Sequence, residues 1–157
     1  REPEDPCDVD ACRESALRLL DAADRPSGAL RDRLIDKGYD DETVAAVVDR
    51  LIEVGLVDDE SYAQSAVRYC VGRLMGYRGA VMELARKGVD RPLAERVCDE
   101  ARMSGVFEDA AWELGRRSAA KTQGMDPKVR KRRFWSSGGR KGHDAETLRA
   151  VAHELFD

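Results

Sequence analysis

Apolar residues recur at helical spacing in three stretches of the chain, each at the same distance from a glycine. Counted from Gly38, Gly88 and Gly142, the positions six, nine, ten and thirteen residues later are apolar in every copy. They are Val44, Val47, Val48 and Leu51, then Ala94, Val97, Cys98 and Ala101, then Leu148, Val151, Ala152 and Leu155. Spacings of three and four residues place such positions on one face of a helix. The chain therefore contains three internal repeats.

A short motif surrounds each of these glycines: KGYD at 37–40, KGVD at 87–90 and KGHD at 141–144. Glycine can adopt the left-handed conformation that ends a helix, and a preceding lysine suits the negative C-terminal end of the helix dipole. The aspartate two residues later can cap the next helix, and Tyr39 and Val89 can act as hydrophobic staples. The motif predicts a joint between two helices rather than a catalytic site.

Helical periodicity, interrupted by glycines and capping residues, predicts nine helices and no strand. The predicted helices cover about 14–23, 27–37, 41–54, 59–74, 77–87, 91–103, 108–123, 127–137 and 145–156. Ser27, after Pro26, is the expected capping residue of the second helix. The pattern predicts an all-α fold of three tandem three-helix repeats that form an elongated, curved body. The repeats are placed at 14–56, 57–105 and 106–157, after a flexible N-terminal segment at 1–13.

The third repeat departs from this pattern just before its joint. The stretch FWSSGGRKG at 134–142 replaces an amphipathic helix, and two adjacent glycines cost about 1 kcal/mol each inside a helix. We therefore expect this helix to be frayed or shortened, with Phe134 and Trp135 anchoring what remains and SSGG forming a flexible joint.

The composition is that of a globular protein with a charged surface. Hydrophobic residues make up 42% of the 157 residues and charged residues 37%, and no apolar run approaches the roughly 18 residues that a membrane span needs. The first ten residues, REPEDPCDVD, lack the basic and apolar regions of a secretory signal. These features predict a cytoplasmic protein without membrane contact.

The residues that most often carry metal or redox chemistry are few and widely spaced. The four cysteines, Cys7, Cys12, Cys70 and Cys98, form no CxxC pair, so they are expected to be reduced and structural. The acidic run at 58–60 stands at a predicted helix start, where the dipole favours acids, rather than in a metal site. His143 and His153 belong to no recognisable catalytic arrangement. We expect no catalysis, no metal and no cofactor.

Charge is strongly segregated along the chain. Residues 116–141 contain ten Lys or Arg and one acid, a net charge of +9, so the remainder carries −13 of the total of −4. The densest part is the basic block, KVRKRRFW at 128–135. Such a block can neutralise phosphates, with an aromatic residue stacking on a base, or line an acidic protein groove. Alternatively it is a solvated helix face with Phe134 and Trp135 in the core, and we interpret Trp135 as core.

Two longer motifs resemble those of the RecX family of recombination regulators. They stand here as VDDESYAQSAVR at 57–68 and GYRGAVMELARKG at 76–88. Together with the three-helix repeats, the resemblance covers roughly residues 14–157. It implies a non-enzymatic, monomeric regulator of the RecA recombinase that lies in the groove of the RecA filament on single-stranded DNA. Such a regulator blocks filament extension and lowers ATP hydrolysis and strand exchange.

The side chains that could contact the filament or its single-stranded DNA are basic residues of the second and third repeats. These are Arg68, Arg78, Lys87, Arg116, Arg117, Lys121, Lys128, Arg130, Lys131, Arg132, Arg133, Arg140 and Lys141. Arg68 and Arg78 stand at positions that match the family motifs.

Two other readings of the chain remain open. Residues 27–57 resemble the helix pair of a helix-turn-helix DNA-binding module, although a β-hairpin wing is missing and the second helix is acidic where a recognition helix should be basic. A general helical-repeat interaction scaffold would also fit the pattern.

Overall fold

The computed structural model describes residues 2–157, and this part of the chain contains nine α-helices and no strand. The helices are α1 (Val9–Ala22), α2 (Ser27–Asp36), α3 (Asp41–Glu53), α4 (Asp59–Gly72), α5 (Tyr77–Arg86), α6 (Arg91–Met103), α7 (Val106–Lys121), α8 (Pro127–Arg140) and α9 (Ala145–Phe156). The prediction of an all-α fold is confirmed. No helix among residues 2–157 is both long enough and apolar enough to cross a membrane.

The first helix begins earlier than the sequence analysis predicted. Asp8 caps α1 by accepting a hydrogen bond of 3.0 Å from the backbone N–H of Ala11. Cys12 and Ala16 are fully buried in the core below α1. The prediction of a flexible segment at 1–13 is therefore wrong for residues 9–13, which are helical. Residue 1 lies outside the described residues.

The three joints have the conformation that their sequence predicts. Gly38, Gly88 and Gly142 have φ angles of 111°, 102° and 83°, in the left-handed region that favours glycine. Asp40 accepts a hydrogen bond from the Thr43 N–H, and Asp144 accepts one from the Thr147 N–H, each of 2.8 Å. These bonds cap α3 and α9. The interpretation of the motif as a helix-stop, helix-start joint is confirmed.

The second and third joints also make a packing contact that their sequence does not reveal. A side chain at Gly28, in the first turn of α2, would collide with the backbone of Gly88. Gly142 lies equally close to Gly79 in the first turn of α5, and the Gly76 N–H donates to the Lys141 carbonyl at 2.8 Å. The joint of one repeat thus packs, backbone to backbone, against the second helix of the repeat before it.

The chain divides into two compact units. The first comprises the chain up to Ala63 together with Arg86–Asp90, and the second comprises Gln64–Ala85 and Arg91–Asp157. Helices α1, α2 and α3 pack on one another in the first unit, and α7, α8 and α9 do so in the second. The repeat boundaries at 56 and 105 stay a prediction.

Each unit has its own hydrophobic cluster. The predicted apolar positions of α3 are buried in the first cluster, whereas those of α9 are buried in the second, except that Leu155 is partly buried. On α6, three of the four positions are buried and Ala101 is partly exposed. The face that the periodicity predicts is therefore the face that these helices bury.

Helix α8 runs without a break to Arg140, so the predicted fraying and the flexible SSGG joint are both wrong. Gly138 is buried, and a side chain there would overlap the Leu148 side chain of α9. The absence of a side chain lets Leu148 pack against the α8 backbone. This contact, with the burial of Phe134 in the same helix, offsets the low helix propensity of the two glycines.

Helix α2 begins differently from the prediction as well. Its N-cap residue is Pro26, and Ser27 is the first helical residue. The carboxylate of Asp59 accepts hydrogen bonds from the Ser27 N–H at 2.6 Å and from the Ser27 hydroxyl at 2.5 Å. An acid 32 residues away therefore supplies the cap that we expected from Ser27 itself.

Candidate partner-binding surface

The basic residues of the third repeat lie on α7, on α8 and in the joint after α8, all within the second compact unit. The exposed members are Arg116, Arg117, Lys121, Lys128, Arg132, Arg133 and Arg140. Arg130, Lys131 and Lys141 are partly buried. The structure therefore separates cations that face solvent from cations that also hold the fold together.

Arg116 and Arg117 share one acidic partner on α7. Glu113 accepts a hydrogen bond from Arg116 at 3.2 Å through one carboxylate oxygen and from Arg117 at 3.0 Å through the other. The hydrogen bonds from Arg117 and Arg116 lower the pKa of Glu113. Because both arginines are exposed and share a single carboxylate, this network leaves a net positive charge that a partner can reach.

Arg130 makes contacts within its own repeat. Its guanidinium donates to the Thr122 hydroxyl and to the Ala119 carbonyl, both at 3.0 Å. It also lies 5.3 Å from the centre of the Phe156 ring, within the range of a cation–π contact. Arg130 therefore joins α8 to the end of α7 and to the last helix, and its donors are directed to the fold.

Lys131 belongs to a small charged cluster at the end of α9. Its ammonium pairs with the carboxylate of Asp157, which also lies 2.9 Å from the His153 ring nitrogen Nδ1. The hydrogen bonds from Lys131 and His153 lower the pKa of Asp157. The charge of Lys131 is thus neutralised within the fold, whereas the adjacent Arg132 and Arg133 are exposed.

The two aromatic residues of the basic block have different environments. Phe134 is fully buried, whereas Trp135 is only partly buried and packs against the edge of the same cluster. Trp135 and Phe156 line a groove of about 590 Å³ beside Lys128 and Arg132. The prediction that Trp135 belongs to the core holds for only part of the ring, because the remainder lines this groove.

A second concave region joins the end of α4 to the end of α8. Arg140 and Lys141 line it together with Tyr69 and Arg73, and its volume is about 490 Å³. The Lys141 ammonium donates to the Arg73 carbonyl at 2.7 Å. Tyr69, near the end of α4, and Arg73, just after it, were not among the predicted contacts, although the helix predicted over 59–74 would place them on one face.

Asp58, in the acidic run at 58–60, stands at the helix start that the sequence predicts, whereas the contact that Asp59 makes with α2 was not predicted. Asp58 accepts a hydrogen bond of 3.0 Å from the Ser61 N–H at the start of α4, and Asp59 caps α2. Within residues 2–157 no three His, Cys, Asp or Glu side chains are arranged so that they could hold a metal ion.

Comparison with known proteins identifies the family. The family model described as "RecX, first three-helix domain" matches residues 12–51, which span most of α1 to α3. The regulatory protein RecX of Thermobifida fusca (strain YX) is 37% identical over 147 residues, covering 91% of this chain and 78% of that protein. The chain belongs to the RecX family. The regulatory protein RecX of Streptomyces lividans is 32% identical over 155 residues, 98% of this chain and 81% of that protein.

The fold agrees with this assignment. The crystal structure of RecX from Lactobacillus salivarius superposes with a TM-score of 0.82, covering 94% of this chain and 96% of that one. Its sequence is only 20% identical, so the likeness concerns the arrangement of helices and not individual surface residues. The resemblance to the RecX family that the motifs indicated is confirmed.

Most of the first RecX motif, at 57–68, is structural. Val57, Ala63 and Val67 are buried, and the two aspartates cap helices. Arg68, the last residue of the motif, is exposed and donates to the Ser65 hydroxyl at 3.0 Å. It is therefore the basic side chain through which this motif can reach a partner.

The second RecX motif, at 76–88, forms the packing surface for the third joint. Gly76 and Gly79 admit the joint backbone, and between them Arg78 is exposed. Tyr77 donates to Asp99 at 2.6 Å with the Arg102 guanidinium 3.9 Å from the ring centre. The bond to Asp99 and burial raise the pKa of Tyr77 to about 12.

Lys87, the last of the candidate cations, lies in the first compact unit and is partly buried, whereas Arg68 and Arg78 belong to the second unit. A contact role for Lys87, as for the other candidates, stays a prediction.

Proposed function

We propose that this chain regulates the RecA recombinase by binding along the RecA filament on single-stranded DNA. There it blocks extension of the filament and reduces ATP hydrolysis and strand exchange. The observation that carries the proposal is membership of the RecX family over 91% of the chain, since the relative in Thermobifida fusca is named a regulatory protein. The proposed role needs no catalytic group and no cofactor, and it places the protein in the cytoplasm as a monomer.

The charge distribution supports a contact surface on α8. Lys128, Arg132 and Arg133 are exposed on a helix that carries no acid, and positive charge in such density attracts phosphates or an acidic protein surface. Arg116, Arg117 and Lys121 extend this charge along α7. We propose these six side chains as the main contacts, with Arg140 and Lys141 at the far end of α8.

Filament binding can be measured by co-sedimentation with recombinase assembled on single-stranded DNA. The parent protein should pellet with the filament. A variant with Arg132→Glu and Arg133→Glu should bind at least tenfold more weakly, because both side chains are exposed and their reversal introduces repulsion. Lys131 is left unchanged because it pairs with Asp157.

The matched control reverses two exposed arginines of the first compact unit, Arg18→Glu and Arg33→Glu. The net charge changes equally in both variants, so only the position of the charge differs. Equal binding by the two variants would contradict the proposed surface.

Repeating the co-sedimentation at several salt concentrations tests whether the cations contact phosphates directly. Each cation that meets a phosphate of a single strand adds about 0.7 to the slope of log affinity against log salt. Three contacts by Lys128, Arg132 and Arg133 predict a slope of about −2, which the double variant should reduce by about 1.4.

No observation favours a helix-turn-helix DNA-binding module. Residues 2–157 contain no strand that could form a wing, and α3 carries four acids and one arginine. Tight, sequence-specific binding to duplex DNA, measured by titration in the absence of recombinase, would revive this alternative.

A further inference from the structure

The groove beside the basic block combines an apolar floor with a positively charged rim. Trp135, Phe156 and Pro127 supply its apolar lining, here called the floor, and Lys128, Lys131 and Arg132 supply its cations, here called the rim. Its volume of about 590 Å³ falls within the range of sites that bind small molecules or single side chains of a partner. Basic charge alone does not require such a floor, so the groove calls for its own explanation.

The floor is held in place by the core below it. The Phe156 ring lies 5.5 Å from the buried Phe134 ring and 5.3 Å from the Arg130 guanidinium. Trp135 packs against the cluster that contains Phe134 and Leu148. Because both aromatic side chains are fixed from inside the fold, a partner would meet a preformed apolar surface and little ordering cost would oppose binding.

The rim has a net positive charge after its internal pairing is taken into account. Asp157 lies at the edge of the groove, and its carboxylate pairs with Lys131 and contacts His153. Lys128 and Arg132 line the groove as well and remain exposed on α8. They are four residues apart on α8, so their charges follow one another along a single helix face about 6 Å apart.

These features match an acidic peptide that carries an apolar side chain. The two aromatic rings and the proline of the floor suit an apolar side chain. An apolar side chain flanked by carboxylates would satisfy both parts of the groove, with the aromatic floor as its anchor and the cations as its rim.

We propose that this groove binds a short acidic peptide segment through a single apolar side chain. That side chain lies on Trp135 and Phe156, and the flanking carboxylates pair with Lys128 and Arg132. The inference deepens the proposed function and rests on it, in that the segment is one that the recombinase presents.

The test measures binding of a nine-residue synthetic probe to the purified full chain by fluorescence anisotropy. The probe consists of aspartate and glutamate with one central phenylalanine and carries a terminal fluorophore. A second probe has serine in place of the phenylalanine. We expect saturable binding of the first probe and at least tenfold weaker binding of the second. Equal binding of both, or no binding of either, would overturn the proposal.

Protein variants locate the site. Lys128→Glu with Arg132→Glu should weaken binding of the phenylalanine probe at least tenfold, whereas Arg18→Glu with Arg33→Glu should keep the affinity within about twofold of the parent. Oligothymidylate is offered as a competitor. If it binds with the same sensitivity to the Lys128 and Arg132 substitutions while the phenylalanine probe does not bind, the groove is a nucleic-acid site and the peptide proposal is wrong.

A final arm separates this proposal from the proposed function. An excess of the phenylalanine probe, but not of the serine probe, should relieve inhibition of the recombinase ATPase by this protein. Inhibition without any probe binding would refute the groove proposal and leave the regulatory function intact. Probe binding without any effect of the protein on the ATPase would refute the regulatory function, and with it the recombinase as the source of the segment.

Discussion

Asp59, the first residue of α4, holds the first residue of α2 through two hydrogen bonds. Its carboxylate accepts one from the Ser27 N–H and another from the Ser27 hydroxyl, at 2.6 and 2.5 Å. The N-terminal end of a helix presents unpaired N–H groups and a partial positive charge, so a carboxylate there stabilises it. A residue of one predicted repeat thereby fixes the start of a helix in the repeat before it.

Removing this carboxylate should destabilise the protein. We expect Asp59→Ala to lower the free energy of unfolding by about 2 kcal/mol, because a helix loses its cap and the Ser27 hydroxyl loses its partner. Urea denaturation at neutral pH measures this change. The matched control is Asp109→Ala, since the exposed Asp109 stands 50 residues later in the first turn of α7. Asp109→Ala should lower the free energy of unfolding by less than about 1 kcal/mol. Equal losses from the two substitutions would show that the contact between Asp59 and Ser27 contributes nothing to stability.

The adjacent glycines of α8 should respond to alanine in opposite directions. At Gly138 an added Cβ would overlap the Leu148 side chain, so Gly138→Ala should cost about 1–3 kcal/mol. At Gly139 no atom lies within 4 Å of the added Cβ, so Gly139→Ala should stabilise the helix by about 0.5–1 kcal/mol. Thermal or urea unfolding of the two variants measures both effects, and stabilisation by Gly138→Ala would contradict the packing described for α8.

The backbone contact at the third joint should make Gly142 more sensitive to substitution than other glycines of similar conformation. Gly142 and Gly55 have φ angles of 83° and 81°, but only Gly142 lies against another backbone, that of Gly79. Alanine at Gly55 should cost about 1–2 kcal/mol for the left-handed conformation alone. Alanine at Gly142 should cost about 1–3 kcal/mol more because the joint must move away from α5. Equal losses in urea unfolding would mean that this joint does not depend on close packing.

The joint also contains a buried histidine that should make stability depend on pH. His143 Nε2 lies 2.8 Å from the Leu74 carbonyl, and burial lowers the pKa of His143, although that carbonyl and Asp144 act in the opposite sense. The His143 imidazole therefore takes up a proton near pH 6.5 in the unfolded chain, but only at a lower pH in the folded chain. Stability from the neutral imidazole is present above about pH 6.5 and declines as the pH falls below this value.

The pH effect is checked by comparing the parent with His143→Val, because the second joint has a buried valine, Val89, at the corresponding position. The free energy of unfolding of the parent should fall more between pH 7.5 and pH 5 than that of the variant. A variant with the same pH dependence as the parent would show that another group is responsible.

The features that the sequence predicted correctly are those that short-range chemistry determines. Each joint has a glycine at positive φ, and in the first and third joints an aspartate caps the helix that begins beside it; both effects act within four residues. The spacing of apolar residues in α3, α6 and α9 likewise predicts which face of each helix is apolar. The early start of α1 also had a local signal, because Cys12, Ala16 and Leu19 follow helical spacing after the capping residue Asp8.

The features that it missed depend on residues far apart in the chain. Helix propensity predicts that Gly138 and Gly139 weaken α8, but it contains no information about Leu148 packing into the space that Gly138 leaves. The cap that Asp59 provides for α2 crosses 32 residues. In the basic block, charge counting treats Arg130 and Arg132 alike, whereas the structure directs Arg130 to Thr122 and Ala119 and leaves Arg132 exposed.

The central claim is regulation of the recombinase, and its most direct test is a titration of single-strand-dependent ATP hydrolysis. Increasing amounts of this protein are added to recombinase filaments, and the rate of ATP hydrolysis is followed. We predict that the rate falls at substoichiometric amounts, because a protein that blocks extension acts on many protomers at once. The variant with Arg132→Glu and Arg133→Glu should need at least tenfold more protein, and the variant with Arg18→Glu and Arg33→Glu should match the parent. An unchanged rate of hydrolysis at an excess of the parent protein would contradict the account.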